Sequence, residues 1–518
     1  MKSRRQGVAS EKIRGIEQEY PVSAKANLNP SMLVNAAILG LKRRGFSYDV
    51  IWDTATEISQ EVHESRIASS YGNNGCRIYN DMGHLEIATP SYNNPIDAMA
   101  YEKASEIYAL MGAREASLAL KKEVLVHRNN VANIVLERGA RRAKRVKTIT
   151  YATHGNIITL REACKDWSRV ERALIPWVIT RIIFTGAGDV VSGEFVGREG
   201  AKFVISPRAM FVARKSSLST TVDRGILNTR DQPHAARRYW RLHDIHYEGL
   251  RCEYSIFLRD IAQALVICAF EAGLLDGAPE IEDPVRTFKM ISADTQECEW
   301  KIKLKTGEVT DAVSILKFYL DAMEKVSREH GGDEWEESGL KCMGRLLDRF
   351  EARRIEDYVD GIDWVTKLAL LVNYEPKSAS EGVSICNQYA LLDENLGFYL
   401  KNRDTKIKGA SLFNPKESLA FAERELPGVD MHSYTAKVRR ALFNAPEQTR
   451  EFFKAEMMKR HRAHVRSLSW STMVLNEAKI LLDEPFMLCK DEIGSCEAKD
   501  VEASLSMAKR LYPEKVIY

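Results

Sequence analysis

An α+β fold is predicted for this chain from three features of its sequence. Extended and helical segments alternate over the first 160 residues, the stretch between Thr310 and Lys401 is largely helical, and a smaller unit follows a Pro-marked turn near residue 440. At 518 residues the chain is too long for one ordinary domain, which favours a large body with an appendage. Hydrophobic residues at 45% and charged residues at 28% are the balance of a globular protein and exclude a disordered or collagenous one.

Taken in order, RGIEQEYPV from Arg14 reads as a strand, PSMLVNAAILGLKRRG from Pro30 as a helix and NGCRIYNDMGHLEIATP, Asn74 to Pro90, as a strand. NPIDAMAYEKASEIYALMGAREASLALK from Asn94 has the spacing of a long amphipathic helix. EVLVHRNNV and TITYATHGNIITL read as two further strands, giving a sheet with helices on one face. From Asp166, DWSRVERALIPWVITRIIF and YSIFLRDIAQALVICAFEAG have helical periodicity, with AKFVISPRAMFVARK between them as a strand. NAPEQTREFFKAEMMKRHRAHV from Asn444 opens on a turn and continues as a charged helix, followed by SWSTMVLNEAKILL and a polar tail. The predicted domains are therefore 1–440 and 441–518.

Lys and Arg number 75 against 72 Asp and Glu, so the formal +3 supplies no global field able to hold nucleic acid. The local clusters RRAKRVK from Arg141 and KRHRAHVR from Lys459 read as solvated faces. Nine cysteines without a C-x-x-C or a zinc spacing fit a reducing cytoplasm. The basic N-terminus lacks an apolar run, and IAQALVICAFEAGLL from Ile261 is short and interrupted by Glu271, so neither secretion nor a membrane span is expected. A cytoplasmic protein, working as a monomer and without nucleic acid or membrane partners, is the expectation.

GIEQEY holds Glu17 and Glu19 two apart, so on a strand both carboxylates face the same way and require a cation, or else form the polar side of a half-exposed strand. Mg²⁺ suits such hard oxygen ligands and commonly joins them to nucleotide phosphates. In the Asn74–Pro90 block, Arg77, Tyr79 and Asp81 share one side of the chain, and Glu86 offers a further hard ligand. Arg77 has the fork for phosphate oxygens, and Asp81 could serve as general base or nucleophile; an ordinary surface hairpin with an Arg–Asp pair is the alternative. GILNTRDQPHAARRYWRLHDI packs Arg230, Asp231, His234, Arg237, Arg238, Arg241 and His243 into fourteen residues, which suits a triphosphate or else a solvated basic helix. His154 in TYATHGN is a weaker candidate. No P-loop and no G-x-G-x-x-G is present, so a nucleotide would lie on a sheet face, as in carboxylate–amine ligases of the glutamine synthetase type.

These motifs, GIEQEY, NGCRIYNDMGHLEIATP, HRNN, TYATHGN, GILNTRDQPHA and IDWVTK, with SWSTMVLNEAKILLDEPFMLCKD toward the C-terminus, resemble the Pup ligase and depupylase superfamily, also called proteasome accessory factor A and its deamidase relative. The resemblance implies a large glutamine-synthetase-like domain with an antiparallel sheet and a small C-terminal domain that closes on the nucleotide. It implies that Glu17, Tyr79 and Glu86 hold Mg²⁺, that Arg77 and Thr89 contact ATP, that Asp81 is the catalytic acid/base and that Trp470 offers an aromatic ring to the nucleotide. Glu19, His154 and His234 are added as metal candidates, and Arg230 as a nucleotide contact.

In that family a ligase activates the C-terminal glutamate of the ubiquitin-like modifier Pup as a γ-glutamyl phosphate, which a substrate lysine displaces. The depupylase branch cleaves the isopeptide or deamidates a terminal glutamine. The expected partners are thus a Pup-like modifier and lysine-bearing proteins. The family's His-Glu-Asn reads His154-Gly155-Asn156 here, its PHAD reads Pro233-His234-Ala235-Ala236 before a helix one residue shorter, and its HPE reads His84-Leu85-Glu86. The Asp81-to-Glu86 spacing, TTVDRGI and LKRRGFSYDVIWDT resemble the depupylase branch, while the linker between Glu17 and Asp81 is shorter than that branch's inserted loop. Depupylase or deamidase activity is the reading taken. A ligase is the alternative, and an inactive binding relative, suggested by the missing carboxylate at position 155, is the third.

Overall fold

The computed structural model describes residues 7–25, 28–52, 69–138, 143–192, 201–400, 409–426, 428–494 and 500–518. Nine strands form its main sheet: β1 (Arg14–Tyr20), β2 (Ser47–Asp49), β3 (Ser70–Gly72), β4 (Arg77–Asp81), β5 (His84–Ala88), β6 (Thr153–Leu160), β7 (Val212–Ser217), β8 (Arg224–Asn228) and β9 (Tyr239–Tyr247). Their order is β7-β8-β9-β6-β1-β5-β4-β3-β2, antiparallel throughout except between β7 and β8.

Strict alternation makes β1 two-faced: Ile16, Gln18 and Tyr20 are buried while Gly15, Glu17 and Glu19 are half-buried on the open side. The covered face is packed by helices, among them α1 (Pro30–Arg43), α2 (Pro95–Leu120) and α3 (Glu253–Glu271). α2 starts at an Asn94 cap with Pro95 at its first position and ends at Lys121 in the left-handed region.

The structure corrects several expected elements. The Asn74–Pro90 block is a hairpin, not one strand: Met82 and Gly83 take φ of 48° and 91°, and Asn80 Oδ1 accepts the Gly83 N–H at 2.9 Å. α2 is not amphipathic but buried on nearly every side, because the sheet, α1 and α3 all pack on it; Glu102, Lys103 and Glu106 are fully enclosed. Their charges are met by Arg128 of the HRNN motif, 2.6 Å from both carboxylates, and by Arg259 on Glu102. AKFVISPRAMFVARK divides into Ala201–Val204 and β7 around a turn at Arg208–Phe211, and TITYATHGNIITL divides into Ala143–Thr150 and β6. The region after β8 is not a helix: an irregular loop with Gln232 and His234 at positive φ leads straight into β9.

Beyond Glu451–Arg460, a helix, come four strands, Val465–Leu468, Thr472–Leu475, Ala478–Leu481 and Val516–Ile517, in a sheet of their own. A second hydrophobic core lies under them, built from Phe453, Met457, Leu468, Met473 and Ile480, and it takes in Trp52 and Tyr71 from the large body. The Leu468 N–H donates to Ile51 O at 2.9 Å, so the segment after β2 runs onto the edge of this second sheet. The apolar run from Ile261 lies inside and just after α3, enclosed in the main core, and no helix among the described residues is long and apolar enough to cross a membrane.

Candidate active site

The register of the sheet lines up the acidic motifs. Arg77, Ala88, Glu17 and His154 form one row across β4, β5, β1 and β6, and Tyr79, Glu86 and Glu19 form the next. Paired residues in a ladder point to the same face, so the hairpin turns Glu86 back opposite Tyr79 and alongside Glu19. The small Ala88 separates Arg77 from Glu17.

Two groups of possible cation ligands result among the described residues. Glu19, Asp81 and Glu86 bring one oxygen each within 4.8 Å of one another, and Glu17, His154 and His243 do the same with one oxygen and two ring nitrogens. In the first group the phenol of Tyr79 donates to Glu86 Oε1. Burial and the neighbouring Asp81, Glu17 and Glu19 push the Glu86 carboxyl well above its ordinary range. Burial, with Glu86 and Glu17 nearby, likewise pushes the Tyr79 phenol up. In the second group burial opposes ionisation of Glu17, but the hydrogen bond from His154 and the nearby His243 and Arg241 outweigh it and hold the carboxyl well below its usual value. His154 Nδ1 lies 3.4 Å and Arg241 Nη1 3.7 Å from Glu17, and Asn156 Nδ2 donates to it at 3.0 Å.

Both groups fit a divalent cation. The first offers hard oxygens in a repelling set; the second contains His243, whose Nε2 is a buried ring nitrogen with no hydrogen-bond partner. The histidine that joins Glu17 and His154 is His243 rather than His234. The pairing of Asn156 with His243 puts the latter on the open face, whereas His234 sits in the irregular loop with its ring 6.0 Å from that of Trp470.

A recess opens beside these groups. Its walls include Gly15, Thr89, Ser91, His234, Arg450 and Trp470, and Glu17 links it to the second group. Arg450 Nη2 donates to His234 O at 2.8 Å and Lys454 Nζ to Trp470 O at 3.1 Å, so one helix fixes two walls. The Thr89 hydroxyl is engaged by the Ile16 N–H at 3.1 Å. Arg77 lies over the rings of Tyr79 at 4.3 Å and Trp52 at 4.4 Å, with Trp470 at 5.8 Å. Burial and the charges of Arg241 and Arg450 push the His234 imidazole down to about 3, so it stays neutral.

Of the arginine-rich segment, Arg241 reaches Glu17; Arg238 pairs with Glu484 at 2.5 Å, Arg237 is exposed and Arg230 is half-buried with its N–H donated to Asn228 at 2.9 Å. The sequence reading passed over Trp52 and Asn156 and gave His243 no role of its own. The period of two along β9, which puts Arg241 and His243 on one face, was the available signal. A Cβ at Gly155 would lie 2.5 Å from the Tyr247 ring, so this position faces the packed side and not the carboxylate groups.

An antiparallel sheet with acidic and imidazole groups on its open face, beside a recess walled by a second small sheet, is the build of a glutamine-synthetase-like carboxylate–amine ligase fold. Within that class the chain belongs to the Pup-ligase family, whose model, described as Pup-ligase protein, matches residues 12–474. It is 28% identical over 500 residues to a depupylase of Acidothermus cellulolyticus, covering 90% of this chain and 91% of that one. To the Pup deamidase/depupylase of Mycolicibacterium smegmatis it is 26% identical over 534 residues, covering 97% and 99%. Its fold is similar to that of the ligase PafA in complex with Pup (TM-score 0.72, 20% identity, covering 98% of this chain and 94% of that one) and of PafA with ADP (TM-score 0.66, 21% identity, covering 95% and 96%).

Proposed function

We propose that this protein is an ATP- and Mg²⁺-dependent depupylase or deamidase, cleaving the amide at the side chain of a C-terminal Glu or Gln of a Pup-like modifier and so releasing the lysine of a conjugated protein or ammonia. The observation that carries the chemistry is Asp81, a carboxylate on one face with Arg77 and Tyr79 and within 4.8 Å of Glu19 and Glu86. The direction rests on the depupylase relatives, which align over nine-tenths or more of both chains.

In this reading Glu19 and Glu86 hold one cation and Glu17, His154 and His243 another, and bound Mg²⁺ with nucleotide supplies charge neutralisation around the scissile amide. Asp81 accepts a proton from the attacking water or attacks the amide carbon itself. Arg77, kept in place by Trp52 and Tyr79, and Arg230 are assigned to phosphate oxygens. Trp470, Thr89 and His234 border the base, and the unit after residue 440 closes that side. The chain is assigned to a reducing cytoplasm, which the eight buried, unpaired cysteines among the described residues support.

The experiment is incubation with ATP and Mg²⁺ and three substrates in parallel: a Pup–lysine conjugate, glutamine-tailed Pup, and glutamate-tailed Pup with a free lysine-bearing protein. Intact-mass analysis expects loss of the modifier from the first or a one-dalton gain by the second. A conjugate formed only from the third contradicts the hydrolytic direction and makes the protein a ligase.

A further inference from the structure

The arrangement of hydrogen bonds around Asn156 determines which nitrogen of His243 carries its proton. Asn156 stands on β6 between Glu17 on β1 and His243 on β9. Its Nδ2 donates to Glu17 Oε1 at 3.0 Å, while its Oδ1 is 3.0 Å from Arg241 Nη1 and 2.9 Å from His243 Nδ1. The amide orientation is fixed twice over: an ionised carboxylate only accepts, so the nitrogen must face Glu17, and a guanidinium only donates, so the oxygen must face Arg241. With an acceptor opposite it, His243 Nδ1 must carry the hydrogen. The lone pair of the neutral ring is then on Nε2, a buried atom with no hydrogen-bond partner, on the residue that groups with Glu17 and His154.

We propose that Asn156 is a positioning residue that selects the Nδ1–H tautomer of His243, so that Nε2 presents its lone pair to a divalent cation shared with Glu17 and His154. Outer partners of this kind fix the ring orientation of a ligating histidine as well as its tautomer, and their loss typically costs ~10–100-fold in metal affinity. Asn156 holds both ends of the set, since the same amide that orients His243 also orients Glu17. A Mn²⁺ held by these two imidazoles couples magnetically to ring nitrogen, which distinguishes it in the resonance spectrum from one held by the all-oxygen group of Glu19, Asp81 and Glu86.

This inference rests on the proposed metal dependence, and its test separates the two. Mn²⁺ alone is titrated into wild type and Asn156→Leu with detection by electron paramagnetic resonance. Long-range ¹⁵N–¹H spectra of ¹⁵N-histidine-labelled metal-free protein read the tautomer of His243. Wild type is expected to bind Mn²⁺ and to show His243 protonated on Nδ1; Asn156→Leu is expected to bind ~10–100-fold more weakly and to show a mixture of tautomers. If wild type binds no Mn²⁺, the metal reading itself fails. If wild type binds it and Asn156→Leu binds it equally, or if wild-type His243 carries its hydrogen on Nε2, the role of Asn156 fails while the metal reading stands. The wild-type spectrum needs no variant, so a failure of Asn156→Leu to fold leaves that second criterion in force.

Discussion

Tyr79 and Glu86 face each other across a two-residue turn, and the phenol of one donates to the carboxylate of the other. That bond is the meeting point of the hairpin, the acidic row and the cation question, because Glu86 is also flanked by Glu19 on β1. The carboxyl of Glu86 is raised well above its ordinary 4.5. A group raised in the fold keeps a proton that the unfolded chain has released, so its contribution to stability is lost as pH rises through the window above 4.5. Glu17 acts oppositely: its carboxyl is depressed, so its contribution is present above 4.5 and lost as pH falls below that value. Metal-free wild type should therefore lose stability relative to Glu86→Gln between about pH 5 and about pH 7, measured by urea unfolding, and Mg²⁺ should shrink the difference. Parallel curves for the two proteins would contradict the assignment.

Replacing Trp470 by Ala should weaken ATP binding by the worth of one base–aromatic stack, ~1–3 kcal/mol or roughly 5- to 150-fold, while Trp470→Phe retains most of it. Trp470 also meets Trp52 edge-on at 4.9 Å, so the comparison is made by calorimetry on variants whose circular dichroism matches wild type. Equal affinity in all three proteins would make the ring a core residue of the second sheet only.

The buried charges of α2 give a stability prediction. Arg128→Met leaves Glu102 and Glu106 enclosed without their 2.6 Å partner, and breaking a buried pair in this way typically costs ~3–5 kcal/mol. Denaturant unfolding should report a loss of that order, with ATP affinity of the remaining folded protein unchanged because the network lies on the packed side of the sheet. A loss under about 1 kcal/mol, the range of exposed pairs, would contradict it.

Gly155 was the sequence's best argument for an idle relative, and the fold removes that argument. A Cβ there would sit 2.5 Å from the ring of Tyr247, which is itself enclosed, so Gly155→Ala should destabilise by ~1–3 kcal/mol through overpacking, and Gly155→Glu should not create a new cation ligand. A Gly155→Glu variant that folds normally and binds Mn²⁺ more tightly than wild type would overturn this account of the position.

Much of the open face was legible because alternation in a strand is a local rule. Glu17 with Glu19, and Arg77 with Tyr79 and Asp81, follow from spacing alone. The return of Glu86 opposite Tyr79 depended on a turn at Met82-Gly83, which a single-strand reading of the block hid. His243 was passed over for His234 because the segment was read as a helix or a loose basic cluster; only pairing with β6 reveals which histidine faces Glu17, and pairing is a long-range property. The reading of α2 as amphipathic failed for a related reason. Its Glu102, Lys103 and Glu106 look solvent-seeking until Arg128, Arg251 and Arg259 arrive from distant segments to enclose them.

Turnover and nucleotide affinity of Asp81→Asn, measured on the same preparation, test the central claim most directly. The amide is nearly isosteric with the carboxylate and lacks its proton-accepting and nucleophilic capacity, so release of modifier from a Pup–lysine conjugate should fall by ~10²–10⁴-fold. ATP·Mg²⁺ affinity should stay within about threefold of wild type, since Glu19 and Glu86 keep their oxygens in the same group. Wild-type turnover by Asp81→Asn would contradict the account outright, and loss of nucleotide affinity together with turnover would make Asp81 a cation ligand rather than the base.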